Sequence, residues 1–509
     1  MTFSTLSELL AAGRADAPAI GAPAAKPLSY GGLRDLAERT RAALNGGGIG
    51  RGDRVAIVLP NGPEMAAAFI AIGAAATTAP LNPAYKAPEF EFYLTDLKAK
   101  ALVLAAGIAS PARDVAARLG IPIIELEPRP ADGAGAFALT PPAGLVGRPA
   151  RPGPAGSGDI ALVLHTSGTT SRPKIVPLTQ SNILASAGHI AGTLALRPED
   201  LCLNIMPLFH IHGLMAAVLS SLAAGAAVSC TPGFDAFRFF TWLDEVRPSW
   251  LTAVPTLHQA ILARADKNHE IIARARLRFI RSSSASLPPQ VMAALEETFR
   301  CPVVEAYGMT EAAHQMASNP LPPGSRQPGS VGRAAGPEIA IMDEAGALLP
   351  AGALGEVVIR GANVTAGYEA NPEANAKAFT GGWFRTGDQG TLDAAGYLRL
   401  TGRLKELINR GGEKVSPLEV DEVLMDHPAV AQVVAFAVPH AKLGEEVAAA
   451  VVLRDGRSAS EGELRDFARQ RLAEFKVPRR VVILDEIPKG ATGKLQRIGL
   501  AAKLGLAES

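Results

Sequence analysis

Residues 165–174 read HTSGTTSRPK, ten positions that hold five hydroxyl side chains, one glycine and two cations directly after the apolar run DIALVL. Backbone N–H groups, hydroxyls and a lysine together solvate phosphate oxygens well. Thr166, Ser167, Gly168, Thr169, Thr170 and Lys174 are therefore candidate phosphate-binding residues. The spelling is not that of a P-loop, which needs two glycines and a Lys-Ser/Thr ending, because Ile175 follows Lys174. Taken alone, the stretch also fits an ordinary polar turn between strand and helix. The rest of the chain has to decide.

Four further clusters follow in order: MPLFHIHG (206–213), EAYGMTEAAH (305–314), WFRTGD (383–388) and PKGATGK (488–494), with TGRLKELINRGGEK (401–414) before the last. Together with the first loop they resemble the motif set of the adenylate-forming superfamily: acyl-CoA synthetases, firefly luciferases and peptide-synthetase adenylation domains. The chemistry is coherent with that resemblance. A carboxylate is a poor electrophile, so ATP first supplies AMP as a leaving group and a thiol then displaces it. The first step brings an anion to a polyanion, which calls for cationic and hydrogen-bonding cover.

The resemblance implies a role for each matched residue. Tyr307 lies against adenine, Thr310 bonds the α-phosphate, and Glu311 helps place Mg²⁺. Asp388 accepts from both ribose hydroxyls, with Arg403 on the other side. Lys494 reaches the reacting carboxylate and α-phosphate, and His210 joins the catalytic set. Lys405 matches the hinge about which a small C-terminal domain rotates, presenting the Gly411-Gly412 loop to the pantetheine thiol of CoA. Read alone, Asp388 is a turn residue and Lys494 a solvated charge. Ser171 and Ile175 stand where the family commonly has glycine. The β-branched Ile175 excludes a positive φ in practice and so predicts an extended backbone after Lys174.

The acyl pocket of this superfamily lies beside the adenylate, where a fatty or aryl acid needs apolar walls. Here the corresponding segments offer His210, His212, Arg281, Ser282, Ser283, Ser284 and His314. Such a concentration points to a small, polar, dianionic acid. His314, Ser283 and Arg281 are the expected partners of its distal carboxylate, with His210 nearby. The whole-chain texture most resembles the oxalate–CoA ligases, with malonate–CoA ligases as the nearest chemical alternative. A luciferase-like oxygenase needs an apolar pocket, and a nonenzymatic nucleotide-binding relative has no use for Lys494 and Glu311. A peptide-synthetase module would be followed by a carrier domain.

These residues need a scaffold. At 509 residues the chain exceeds one core. Short β-type runs alternate with helical patterns: RVAIVLP (54–60), EMAAAFIAIGAAA (64–76), ALVLAA (101–106), ARDVAARLG and IPIIELE (121–127). Such alternation predicts parallel α/β sheets. The Pro/Gly/Ala-rich stretch 128–158 reads as a surface connection. Beyond residue 402 comes a hairpin turned by Gly411-Gly412, then a helix with Ser416 as N-cap, Pro417 at its first position and Glu419 closing a capping box. A strand–strand–helix–strand unit follows. The expectation is an α/β N-terminal domain, 1–402, of parallel-sheet subdomains plus a small barrel-like subdomain, and a mobile α+β C-terminal domain, 403–509.

Bulk composition excludes other classes. Fifty Lys+Arg balance 49 Asp+Glu, which argues against a nucleic-acid or anionic-membrane partner. Cys202, Cys230 and Cys301 are odd in number and far apart, and so read as buried thiols in a reducing compartment. Arg14 and Asp16 interrupt any signal-peptide run, GLAES at the end is no organelle address, and 213–230 reads as a packed core helix. A cytoplasmic protein using ATP, CoA and Mg²⁺ is the expectation.

Overall fold

The structure, a computed structural model, describes residues 3–166, 173–490 and 494–506. Four sheets organise them. A seven-stranded sheet runs Phe137–Thr140, Ile123–Pro128, Ala101–Ala105, Arg54–Val58, Thr77–Pro80, Ile160–His165 and Ile175–Thr179 in spatial order. Its inner strands are parallel and read as continuous apolar runs because helices cover both faces. A nine-stranded sheet carries, side by side, Leu201–Asn204, Trp250–Ala253, Phe279–Ser283 and Val303–Met309 in parallel, then His314–Ser318 antiparallel to the last. The helix Pro63–Gly73 packs against strands of both sheets and is buried from Met65 onward, as a helix apolar on every side must be.

The expected barrel-like subdomain is a five-stranded antiparallel sheet. Within it Trp383–Leu392 pairs with Leu398–Arg403. A second five-stranded sheet follows, in which Ile408–Arg410 and Glu413–Val415 form the hairpin turned by Gly411-Gly412. Both glycines have positive φ, +61° and +99°, which suits residues without a Cβ. The strands Val430–His440 and Gly444–Leu453, the helix Glu461–Arg469 and the strand Arg480–Ile483 complete the expected unit.

Three local expectations are corrected. Residues 128–158 are not all connection: Phe137–Thr140 pairs with Ile123–Pro128, and Phe137 is buried. The segment 213–230 is not one helix but a π-helix, His212–Leu219, a helical turn Ser220–Ala223, and the strand Ala227–Cys230. Ser416 does cap Pro417–Met425 by accepting from Glu419 N, yet Glu419 closes no capping box, because its carboxylate is paired with Lys476 at 2.7 Å. The three cysteines are buried and free. No helix among the described residues is long and apolar enough to cross a membrane.

Candidate active site

The phosphate loop opens between two paired strand ends. His165 faces Ile175 across the antiparallel ladder, Thr166 N donates to Lys174 O at 2.9 Å, and Lys174 N donates to Thr166 Oγ1 at 3.1 Å. Ile175 begins a strand, where a β-branched residue is at ease, so its presence in place of glycine costs the loop base nothing. Ser167, Gly168, Thr169, Thr170 and Ser171 lie outside the described residues. The Lys174 ammonium sits 3.8 Å from the centroid of the Tyr368 ring. Burial lowers its pKa, Lys405 lowers it further, and Glu311 opposes them.

Strand Val303–Met309 delivers the next group. Tyr307 points its hydroxyl at Asp388, to which it donates. Asp388 and Arg403 are register partners on adjacent strands, joined by an ion pair at 3.0 Å. Burial first, and the Asp388 charge second, push the Tyr307 phenol well up, so it remains a donor. The strand then turns into a 3₁₀ turn, Thr310–Ala312, that leaves Thr310 half-buried and Glu311 buried. Tyr368 OH donates to Glu311 Oε1 at 2.8 Å, and Thr365 N donates to Glu311 O at 2.7 Å. Tyr368 thus touches both the loop lysine and the acidic residue.

Lys494 comes from the far end of the chain. Its carbonyl accepts from Gly490 N at 2.8 Å, and Lys489 and Leu495 bridge beside it. Burial, then the charge of Arg403, lowers its pKa to about 8, while Asp388 acts in the opposite sense. The same ammonium acts on His210, His212 and His314. Lys494 therefore stands within electrostatic reach of both the Asp388–Arg403 pair and the histidines. Lys405 and Gly411-Gly412 are exposed, in the turn after Arg403 and in the hairpin beyond it.

The histidines belong to a buried polar cluster drawn from three strands and the π-helix. Thr252 and Arg281 are register partners in parallel strands and so share one sheet face. His212 Nε2 meets Thr252 Oγ1 at 2.7 Å, and its Nδ1 meets Ser284 Oγ at 3.0 Å. Its ring stacks on His314, with centroids 4.9 Å apart. Arg281 Nη1 donates to His314 Nε2 at 3.2 Å, and Nη2 to Gln315 Oε1 at 3.3 Å. A guanidinium only donates, so His314 Nε2 accepts and the neutral ring carries its proton on Nδ1. His210 Nδ1 accepts from His212 N at 3.3 Å. Enclosure pushes the pKa of His210 down to about 3 and holds His212 and His314 far below the usual imidazole range.

Arg281 is fully buried, its Nε has no partner, and among the described residues no carboxylate pairs with it. Burial lowers its pKa to about 9. Ser283 is equally buried, but its hydroxyl donates to Ala306 O at 2.9 Å. The serine that reaches a histidine is Ser284, whose φ of +75° ends the strand's alternation. His314 has a φ of +97°. Positive φ at non-glycine residues costs about 1–3 kcal/mol and persists where surroundings enforce it, characteristically at functional sites. Sequence reasoning missed Thr252, Gln315 and Tyr368; for Thr252 the available signal was a hydroxyl interrupting the apolar strand WLTA.

Known proteins resemble this chain over nearly its whole length. Residues 8–369 match the AMP-binding enzyme family, and residues 419–494 match the AMP-binding enzyme C-terminal domain. The chain is 47% identical to an oxalate–CoA ligase of Arabidopsis thaliana, over 97% of each chain. It is 44% identical to an oxalate–CoA ligase of Saccharomyces cerevisiae, over 89% of this chain and 87% of that one. Among solved structures, ATP-bound MatB from Rhodopseudomonas palustris superposes with a TM-score of 0.86 at 30% identity, covering 100% of this chain and 99% of that one. With its motifs gathered around Asp388, Glu311 and Lys494, this chain belongs to the AMP-binding enzyme family.

Proposed function

We propose that the protein is an AMP-forming oxalate–CoA ligase, converting oxalate, ATP and CoA to oxalyl-CoA, AMP and diphosphate. The observation that carries the choice of acid is the buried Arg281, without a carboxylate partner among the described residues, backed onto His314 within reach of Lys494. A buried cation is costly unless an anion meets it. A small dianion supplies one carboxylate to the α-phosphate and the other to His314 Nδ1–H. Arg281 polarises that ring from behind. Oxalate has no carbon between its carboxylates, so the partners of its distal end must stand close to the adenylate. The two oxalate–CoA ligase relatives support the same reading.

In the first half-reaction a carboxylate oxygen attacks the α-phosphorus and the bond to the diphosphate breaks. Tyr307 stacks on adenine, and Asp388 with Arg403 takes the ribose hydroxyls. Thr310 bonds the α-phosphate, while Thr166, the residues from 167 to 170, and Lys174 cover the β- and γ-phosphates. Lys494 offsets the charge that gathers between carboxylate and phosphate, with His210 beside it. Glu311 would hold Mg²⁺, which supplies charge neutralisation on the phosphates. A single carboxylate suits an ion that keeps its waters and binds mainly through substrate phosphates, and no larger acidic or histidine cluster is present among the described residues.

In the second half-reaction the CoA sulfur attacks the acyl carbon and AMP leaves. Residues 403–509 turn about Lys405 to withdraw Lys494 and bring Gly411-Gly412 to the thiol, while residues 1–402 keep the adenylate. The test is diphosphate release with oxalate, malonate, acetate, benzoate and octanoate, with and without CoA. Oxalate should exceed acetate by about 10⁴-fold in kcat/KM, because acetate leaves buried donors unpaired. A preference for malonate would replace the acid but keep the ligase. A preference for octanoate would refute the pocket.

A further inference from the structure

Three residues after Lys494, Arg497 makes a set of bonds that the two half-reactions as described leave unused. Its side chain is 13% exposed, and its guanidinium serves three partners. Nε pairs with Glu406 Oε2 at 3.2 Å, Nη2 with Asp421 Oδ2 at 2.7 Å, and Nη1 donates to Ala435 O. Asp421 in turn accepts Ala435 N at 2.5 Å. Glu406 lies in the turn after the strand Leu398–Arg403, where Glu406 N and Leu407 N both donate to Arg403 O. One half-buried cation therefore connects the segment after Lys494, the helix Pro417–Met425, the strand Val430–His440 and the turn that carries Arg403 and Lys405.

An ion triad of this kind is weak evidence for stability, because desolvation offsets most of its attraction; its best-attested use is to fix geometry. Here the geometry at stake is that of the catalytic ammonium. Among the described residues, the base of the Lys494 hairpin has two backbone hydrogen bonds, Gly490 N to Lys494 O and Gln496 N to Pro488 O. Those bonds shape the hairpin but do not set where it points.

We infer that Arg497 is a positioning residue that fixes the Lys494 hairpin against the turn carrying Arg403 and Lys405, and so aims the ammonium at the adenylation site. The inference rests on the ligase reading above, with Lys494 serving the first half-reaction only. A reacting group displaced by about 1 Å can lose 10²-fold in rate. Both half-reactions need the C-terminal unit folded, so a fault confined to the first separates aim from folding.

The experiment compares R497M and E406Q with wild type in three measurements: diphosphate release, thioester formation from supplied oxalyl-adenylate, and labelling of Lys494 by an amine reagent against pH, read by peptide mass spectrometry. For R497M diphosphate release should fall about 10²-fold while thioester formation stays within about threefold. The labelling midpoint should rise from about 8 toward the ordinary 10.5 as the ammonium leaves its enclosure. E406Q should lower diphosphate release about tenfold and raise the labelling midpoint, again with thioester formation spared. Unchanged adenylation and an unchanged midpoint overturn the inference, as do equal losses in both half-reactions by a folded R497M. If R497M does not fold, E406Q with wild-type adenylation overturns it alone. A wild type that releases no diphosphate with any acid refutes the ligase reading instead, and the labelling midpoint, which needs no turnover, still decides the positioning.

Discussion

Raising the pH should switch off adenylation before anything else in the enzyme. Lys494 is charged below its pKa, lowered to about 8, and neutral above it. The ammonium form is the one that offsets negative charge at the α-phosphate, so activity is lost as pH rises. A group with a pKa of about 8 is about nine-tenths charged at about pH 7 and about one-tenth charged at about pH 9, a tenfold loss in kcat/KM. A lysine at its ordinary value would lose almost nothing over that interval. The profile is read as kcat/KM for ATP with oxalate held well below its own KM, where that ratio reports the free enzyme's groups. The charged and titratable groups facing Lys494 are Arg403, Asp388, His210, His212 and His314. The histidines titrate far below this window. Arg281, at about 9, and Glu305, raised by burial to about 8, could enter it. Lys494→Arg separates them: its guanidinium stays charged, so its profile, though lower overall, retains their contributions and that of Lys174, whose pKa burial also lowers. Bound ATP should move the kcat midpoint upward. A wild-type profile flat to about pH 9.5, or one matched by Lys494→Arg, would refute the reasoning.

Other perturbations should separate the parts. Lys494→Ala should lower diphosphate release by about 10²–10³-fold while sparing thioester formation from supplied acyl-adenylate, and near-normal release would make Lys494 an ordinary charge. Lys405→Pro should keep adenylation and impair thioester formation, because Lys405 N–H has no hydrogen-bond acceptor among the described residues to lose, whereas fixing φ near −65° opposes rotation; stopped-flow assays of each half-reaction decide, and equal losses point to misfolding. His314→Ala should lower kcat/KM for oxalate at least about tenfold without a comparable change in ATP affinity, since it removes a donor backed by Arg281; unchanged oxalate turnover would remove His314 from the pocket.

The residues proposed for the nucleotide stood out because their motifs are contiguous: Tyr307, Thr310 and Glu311 fall within five residues, and the structure sets Asp388 and Arg403 opposite each other on adjacent strands. The pocket was legible only as a list of residue types. Which serine faces the histidine depends on a positive φ at Ser284, and no property of a serine announces that conformation. Thr252 and Gln315 meet Arg281 from strands 29 and 34 residues away in the chain, which local pattern cannot supply. Two fold-level misses share this cause. Glu419 had a sound local partner in its capping box, but Lys476, brought near by tertiary packing, took its carboxylate. Phe137 sits in a Pro/Gly-rich stretch whose composition conceals a short strand that the edge of the seven-stranded sheet stabilises.

The central claim is that an oxalate oxygen attacks the α-phosphorus of ATP and that CoA then takes the acyl group. Turnover of carboxylate-labelled [¹⁸O]oxalate with ATP and CoA tests both halves in one sample analysed by mass spectrometry. The account predicts oxalyl-CoA together with AMP carrying a single ¹⁸O atom, the oxygen left behind when the thiol displaces the adenylate. Label in ADP or inorganic phosphate, or AMP formed without label and without a CoA thioester, would contradict it.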